Sequence, residues 1–211
     1  MSIAKLRKSS PAAVLGVVVL LAVTGCGSPT RPATPTANPT SSPVPMLSMF
    51  DQDPTRFAPQ VVRSAHQAGI DPQLLMAILY NESYKPHDPS FEREWLRLNP
   101  GAALGIANMH EAAFDDTKRG RSFANRQWTE LPDDPDLAIL AAAWYLHDLA
   151  ARLPSTWKSA YTKDELLALG YNAGPSSMLE FATGAKPGKV AQDYLDQLHD
   201  NWAKAVAAVH G

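Results

Sequence analysis

An all-α fold is predicted for this 211-residue chain. Apolar residues recur at helical spacing in several segments, and helix start and stop signals bracket those segments. No run of alternating β-branched residues is long enough to build a sheet. The first helix is expected from Pro54 to Ala68, closing at Gly69. Asp71-Pro72 reads as an N-cap followed by proline at the first helical position, opening a helix that ends near Glu82. Residues 85–103 read as irregular, because Pro86, Pro89 and Pro100 interrupt any long helix. A short helix from His110 to Asp116 precedes a polar loop over 117–135. Asp136 to Ala151 is the clearest amphipathic helix, with Leu137, Leu140, Ala141, Trp144 and Tyr145 on one face. Thr162 and Glu165 have capping-box spacing and begin a helix running to about Tyr171. Gly174-Pro175 breaks it, and Pro175 can start the next. The last helix, about Lys189 to Val209, carries Val190, Tyr194, Leu198 and Ala205 as an apolar line.

The helix ending at Glu82 carries the most informative residue. At 100° per residue, Leu74, Leu75, Ile78 and Leu79 fall on one arc, with Glu82 in the middle of it. A carboxylate on an apolar face is unfavourable unless it is paired, protonated or useful. Its position near the helix's carboxyl end adds an unfavourable macrodipole. Both effects raise a glutamate's pKa from its usual ~4.3, toward an acid that keeps its proton near neutrality. A plainer reading also fits the periodicity: the helix has ended and Glu82 points into water.

The start of the chain reads as an address rather than a fold. Lys5, Arg7 and Lys8 precede an apolar run from Ala12 to Val23, which is short of the ~20 residues a membrane span requires. Val23-Thr24-Gly25-Cys26 resembles a bacterial lipobox, so residues 1–25 are read as a lipoprotein signal peptide and Cys26 as the lipidated residue. Cys26 is the chain's one cysteine and cannot form an internal disulfide. Loss of three cations with the signal would take the formal charge from −2 to about −5. With no basic stripe, nucleic acid is not an expected partner. Residues 26–45, rich in Pro, Ser and Thr, have little to bury and read as a tether of at most roughly 60 Å at ~3.1–3.4 Å per residue. The folded domain is expected over 46–211. The six histidines show no metal-ligand spacing, so neither a metal nor a cofactor is called for.

Three separated pieces carry a resemblance: Asn81-Glu82-Ser83 closing an apolar helix, Gly101-Ala102-Ala103-Leu104-Gly105-Ile106-Ala107-Asn108-Met109, and Tyr171-Asn172-Ala173-Gly174-Pro175. Taken in order they resemble the catalytic domain of soluble-type lytic transglycosylases, which share a fold with goose-type lysozyme. Asn81-Glu82-Ser83 matches the family's Glu-Ser pair. The segment from Gly101 to Met109 is similar to its Gly-Ala-x-Gly-Leu-Met-Gln stretch. The piece starting at Tyr171 matches Tyr-Asn-Ala-Gly-Pro without a change. The likeness covers about residues 55–205.

The resemblance implies cleavage of the β-1,4 bond between N-acetylmuramic acid and N-acetylglucosamine in peptidoglycan, giving a 1,6-anhydro end. Glu82 would be the catalytic acid and then the base, with the substrate's N-acetyl oxygen assisting. Tyr171 would hydrogen-bond near Glu82 and hold it. Asn108 is a candidate sugar contact, and Ser83 either touches substrate or finishes the helix. The implied partners are glycan strands and, through Cys26, a membrane facing the cell wall; the domain is expected to be a monomer.

Departures from the family pattern bear on substrate grip. Asn108 stands for the family's glutamine and Ala107 for its methionine, with one extra residue between Gly101 and Gly105. The Glu82–Gly105 interval is several residues longer, and its insertion contains Phe91, Glu92, Glu94 and Trp95, an extra groove wall or plain packing. Val190-Ala191 replace a Glu-Thr pair ahead of the late family tyrosine, which is kept as Tyr194. Two rival readings follow. In one, Glu111, Asp115 or Asp116 supplies a second carboxylate for lysozyme-like hydrolysis. In the other, the chain is a glycan-binding lipoprotein without turnover.

Overall fold

The computed structural model describes residues 53–211, and those residues form an all-α domain with eight α-helices. The expected signal peptide, Cys26, the whole tether and residues 46–52 of the expected domain lie outside the described residues. A 3₁₀ turn over Pro54–Phe57 leads into α1 (Ala58–Ala68), which stops at Gly69 in the left-handed conformation, φ 67°. α2 (Pro72–Glu82) starts as predicted: the Asp71 side chain accepts from the Gln73 N–H at 2.8 Å, and Pro72 fills the first position.

α2 is the central helix. Every residue from Leu74 to Glu82 is buried, so the single apolar arc expected from the sequence does not describe it. α8 (Lys189–His210) covers it along most of its length, and α1, α6 (Lys163–Ala173) and the 3₁₀ turn close the remaining sides. A helix enclosed on every side has no solvent face to keep polar, which explains why Met76 and Ala77 are as apolar as their neighbours. α5 (Pro135–Arg152) packs on α1, α4 (Glu111–Thr117) and α6, burying Leu137, Ala141 and Leu149. Trp144 and Tyr145, on its predicted apolar face, are only half-buried; the Arg121 guanidinium covers the Trp144 ring at 4.5 Å. The capping box at Thr162 and Glu165 is formed in both directions, and Pro175 opens α7 (Pro175–Ala182).

Two expectations are corrected. Residues 85–103 are not wholly irregular, because α3 (Pro89–Leu98) lies within them. Pro89 occupies its first turn and the Asp88 carboxylate caps it, accepting from the Phe91 N–H at 2.9 Å, so this proline begins a helix rather than interrupting one. Val190 does not join the buried line of α8. It is 75 % exposed, whereas Tyr194, Leu198 and Ala205 are buried.

Candidate active site

Glu82 is the last residue of α2 and is 7 % exposed, so it does not point freely into water. Asn81 fixes the rotation of the helix that delivers it. The Asn81 amide donates to the Tyr194 carbonyl at 2.9 Å and accepts from Asn201 at 2.9 Å, both on α8. The carboxyl is then gripped from two sides: the Tyr194 hydroxyl donates to Oε1 at 2.8 Å and Asn108 Nδ2 to Oε2 at 3.1 Å. Burial raises the Glu82 pKa; the bonds from Tyr194 and Asn108 and the nearby His87 and Lys85 oppose that rise only in part.

Three of the four free carbonyls at the end of α2 meet donors. The Ser83 hydroxyl donates to the Leu79 carbonyl at 2.7 Å and its N–H to that of Tyr80 at 3.2 Å. The Glu82 carbonyl accepts from Asn108 Nδ2 at 2.8 Å and faces His87 Nε2 at 3.1 Å. Ser83 therefore finishes the helix, and it does not line the cleft beside Glu82.

Asn108 comes from a tight turn over 104–109, closed by reciprocal backbone bonds between Leu104 and Met109 at 3.1 and 3.0 Å. Two left-handed residues make this turn, Gly105 (φ 71°) and Asn108 itself (φ 44°). A Cβ at Gly105 would sit 2.9 Å from the Leu131 carbonyl oxygen, so the turn needs glycine for space as well as conformation. Three side chains fasten the turn. The Tyr171 hydroxyl donates to the Ala107 carbonyl at 2.7 Å, the Trp128 indole to the Met109 carbonyl at 2.6 Å, and the Gly105 N–H to Glu92 Oε2 at 2.7 Å.

Tyr171, expected to hydrogen-bond near Glu82, donates to the turn that carries Asn108, and the hydroxyl on Glu82 itself belongs to Tyr194. Both tyrosines line the cleft, and burial followed by the Glu82 charge raises both phenol pKa values.

The inserted segment adds a buried polar cluster behind the carboxyl. Glu92, 1 % exposed, meets His87 Nδ1 at 2.9 Å through Oε1, with Lys85 Nζ at 3.7 Å. Lys85 Nζ also donates to the Ala103 carbonyl at 2.9 Å. Both ring nitrogens of His87 face oxygens, Glu92 Oε1 and the Glu82 carbonyl. Charge spacing in the sequence pointed to none of this.

Glu82, Asn108 and Tyr171 open onto one cleft of about 350 Å³, with Tyr84, His110 and, from α8, Val190, Asp193 and Tyr194 in its walls. Glu111, Asp115 and Asp116 do not line it; Asp115 pairs with Lys118 at 2.7 Å and Asp116 with Arg119 at 2.9 Å. The second carboxylate in the wall is Asp193, ion-paired to Lys189 at 2.7 Å. Among the described residues no three His, Cys, Asp or Glu side chains cluster as metal ligands.

No curated protein matches the chain. Residues 61–189 match the family model described as the transglycosylase SLT domain, a span containing Glu82, the 104–109 turn and Tyr171. The chain therefore belongs to the transglycosylase SLT domain family, the lytic transglycosylases that act on peptidoglycan.

Proposed function

We propose that Glu82 is both acid and base in cleavage of the bond between N-acetylmuramic acid and N-acetylglucosamine. One observation carries the reading: a buried carboxyl, its pKa raised by burial, opens onto the cleft while two donors fix both its oxygens. The protonated Glu82 gives its proton to the glycosidic oxygen as the C1–O bond breaks. The substrate's own N-acetyl oxygen stabilises the cationic sugar. The carboxylate left behind then takes the proton from the C6 hydroxyl, whose oxygen bonds to C1. Glu82 ends protonated, no water is consumed, and the product ends in 1,6-anhydromuramic acid.

A hydrolytic reading is supported by Asp193, the other carboxylate in the wall. The two readings differ in product mass. Mass spectrometry of peptidoglycan digested by the purified protein is expected to show anhydro ends, and none with Glu82→Gln. Reducing ends would transfer the reaction to hydrolysis, and bound but uncleaved glycan would leave a binding protein.

Tyr194→Phe is the more discriminating variant. The Tyr194 bond lowers the Glu82 pKa, so its loss raises that pKa further. The acid then stays protonated over a range that extends to higher pH. The alkaline limb of the pH–rate profile should move upward, while kcat falls roughly ten-fold or more because the carboxylate is less well held. A lower rate with an unmoved limb would leave Tyr194 a packing residue.

The same reading places the domain outside the cell as a monomer, with residues 1–25 removed, Cys26 lipidated, 26–45 as tether and 46–211 as catalytic domain. Its support is the lipobox and the composition of the segment that follows. Cys26→Ala is expected to move the protein from the membrane fraction into the soluble one; unchanged fractionation would remove the anchor.

A further inference from the structure

We infer that α3 builds an additional saccharide site that continues the cleft along the glycan strand, with Trp95 and Phe91 as its stacking surfaces. The inference rests on the glycan-cleaving reading of the Glu82 cleft. α3 buries its residues in an unusual order. Its one fully buried side chain is Glu92, fastened to His87 and the Gly105 N–H, so a polar anchor rather than an aromatic core holds the helix down. Phe91, Trp95 and Leu98 lie at i, i+4 and i+7 on one stripe and remain 46 %, 45 % and 75 % exposed. Aromatic rings are usually buried for their large apolar area, and here α3 leaves both of its rings about half exposed.

Phe91 and Trp95 line a cavity of about 410 Å³, whose walls also include Lys85, Asn99 and Ala102. Tyr84, Ala103 and His110 belong both to this cavity and to the Glu82 cleft, so the two adjoin. Lys85 is already engaged by the Ala103 carbonyl and Glu92. The lining therefore offers ring faces and an amide but no free carboxylate or unengaged ammonium. That chemistry suits a sugar ring, which presents C–H groups on its faces and hydroxyls at its edge, better than a charged peptide. A strand bound across Glu82 and continuing past Tyr84 meets this surface next.

The test uses the full chain carrying Glu82→Gln and glycan strands of graded length stripped of their stem peptides. Affinity should rise as strands grow long enough to pass Tyr84. Trp95→Ala and Phe91→Ala should each abolish that rise, weakening long strands roughly ten-fold; Trp95→Phe should restore part of it. Arg97→Ala, an exposed change on another face of the same helix, controls for the fold. Affinity indifferent to Trp95 overturns the site. Dependence on Trp95 seen only with strands that keep their peptides overturns the sugar assignment in favour of a peptide occupant. Turnover by the unmutated chain is read separately: Trp95-dependent binding without turnover removes the catalytic reading and keeps the site, and turnover with Trp95-indifferent binding does the reverse.

Discussion

Glu82→Gln should abolish turnover and, at neutral pH, make the protein more stable. Loss of a positioned acid and base removes on the order of 10²–10⁴ in rate. The stability gain follows from the raised pKa of the buried carboxyl. Below the ordinary carboxylate range Glu82 is protonated in the folded and unfolded states alike, and its contribution is fully present. As pH rises, the unfolded chain gives up that proton first, so the folded state binds more protons and stability falls until the folded pKa is passed. Glutamine does not titrate. The Tm difference between variant and parent should therefore be near zero in acid and widen toward pH 8, by about 2–4 °C for each kcal/mol. Thermal melts at five or six pH values read this directly, and parallel curves across the range would mean that Glu82 ionises as freely as in water.

Glu92→Ala is expected to be the most destabilising single change at the site. It strips His87, Lys85 and the Gly105 N–H of one shared partner. Removing Glu92 from this buried cluster leaves His87 Nδ1 and the Gly105 N–H without their partner, at about 3–5 kcal/mol. That corresponds to a fall in Tm on the order of 10 °C. Activity should fall further than the folded fraction does, because Gly105 begins the turn that presents Asn108 to Glu82. Urea melts paired with rates measured where the variant is still folded separate the two effects. A loss under about 1 kcal/mol would show that water replaces Glu92 without consequence.

The local grammar of the chain was legible; its long-range pairings were not. Asp71-Pro72, Thr162 with Glu165, and Gly174-Pro175 announce helix ends through neighbours a few residues apart, and each does what its chemistry requires. Asp88-Pro89 follows the same rule as Asp71-Pro72, yet the prolines on either side made the segment look broken. The burial of Glu82 agreed with the arc argument for a different reason, since α2 has no exposed face at all. Tyr194 lies 112 residues from Glu82. The sequence marks it as an apolar position of α8 and as the late tyrosine of the family pattern, and its bond to Glu82 emerges only when the two helices are packed. Motif likeness put Tyr171 near Glu82 without naming its partner, because a motif fixes which backbone a residue sits on and not where its hydroxyl ends.

The contrast between α2 and α3 also determines the order in which the molecule comes apart. α2 is enclosed by apolar neighbours on every side, so its amides should exchange hydrogen only when the whole domain opens. α3 rests on a few polar contacts and leaves its largest rings in solvent, so it can peel away as a separate unit of lower protection. The Glu82 carboxyl then rides on the last element to unfold, while the aromatic stripe rides on one of the first. Warming would shorten the protein's reach along a glycan strand and loosen the Asn108 turn through Glu92 before α2 itself opened.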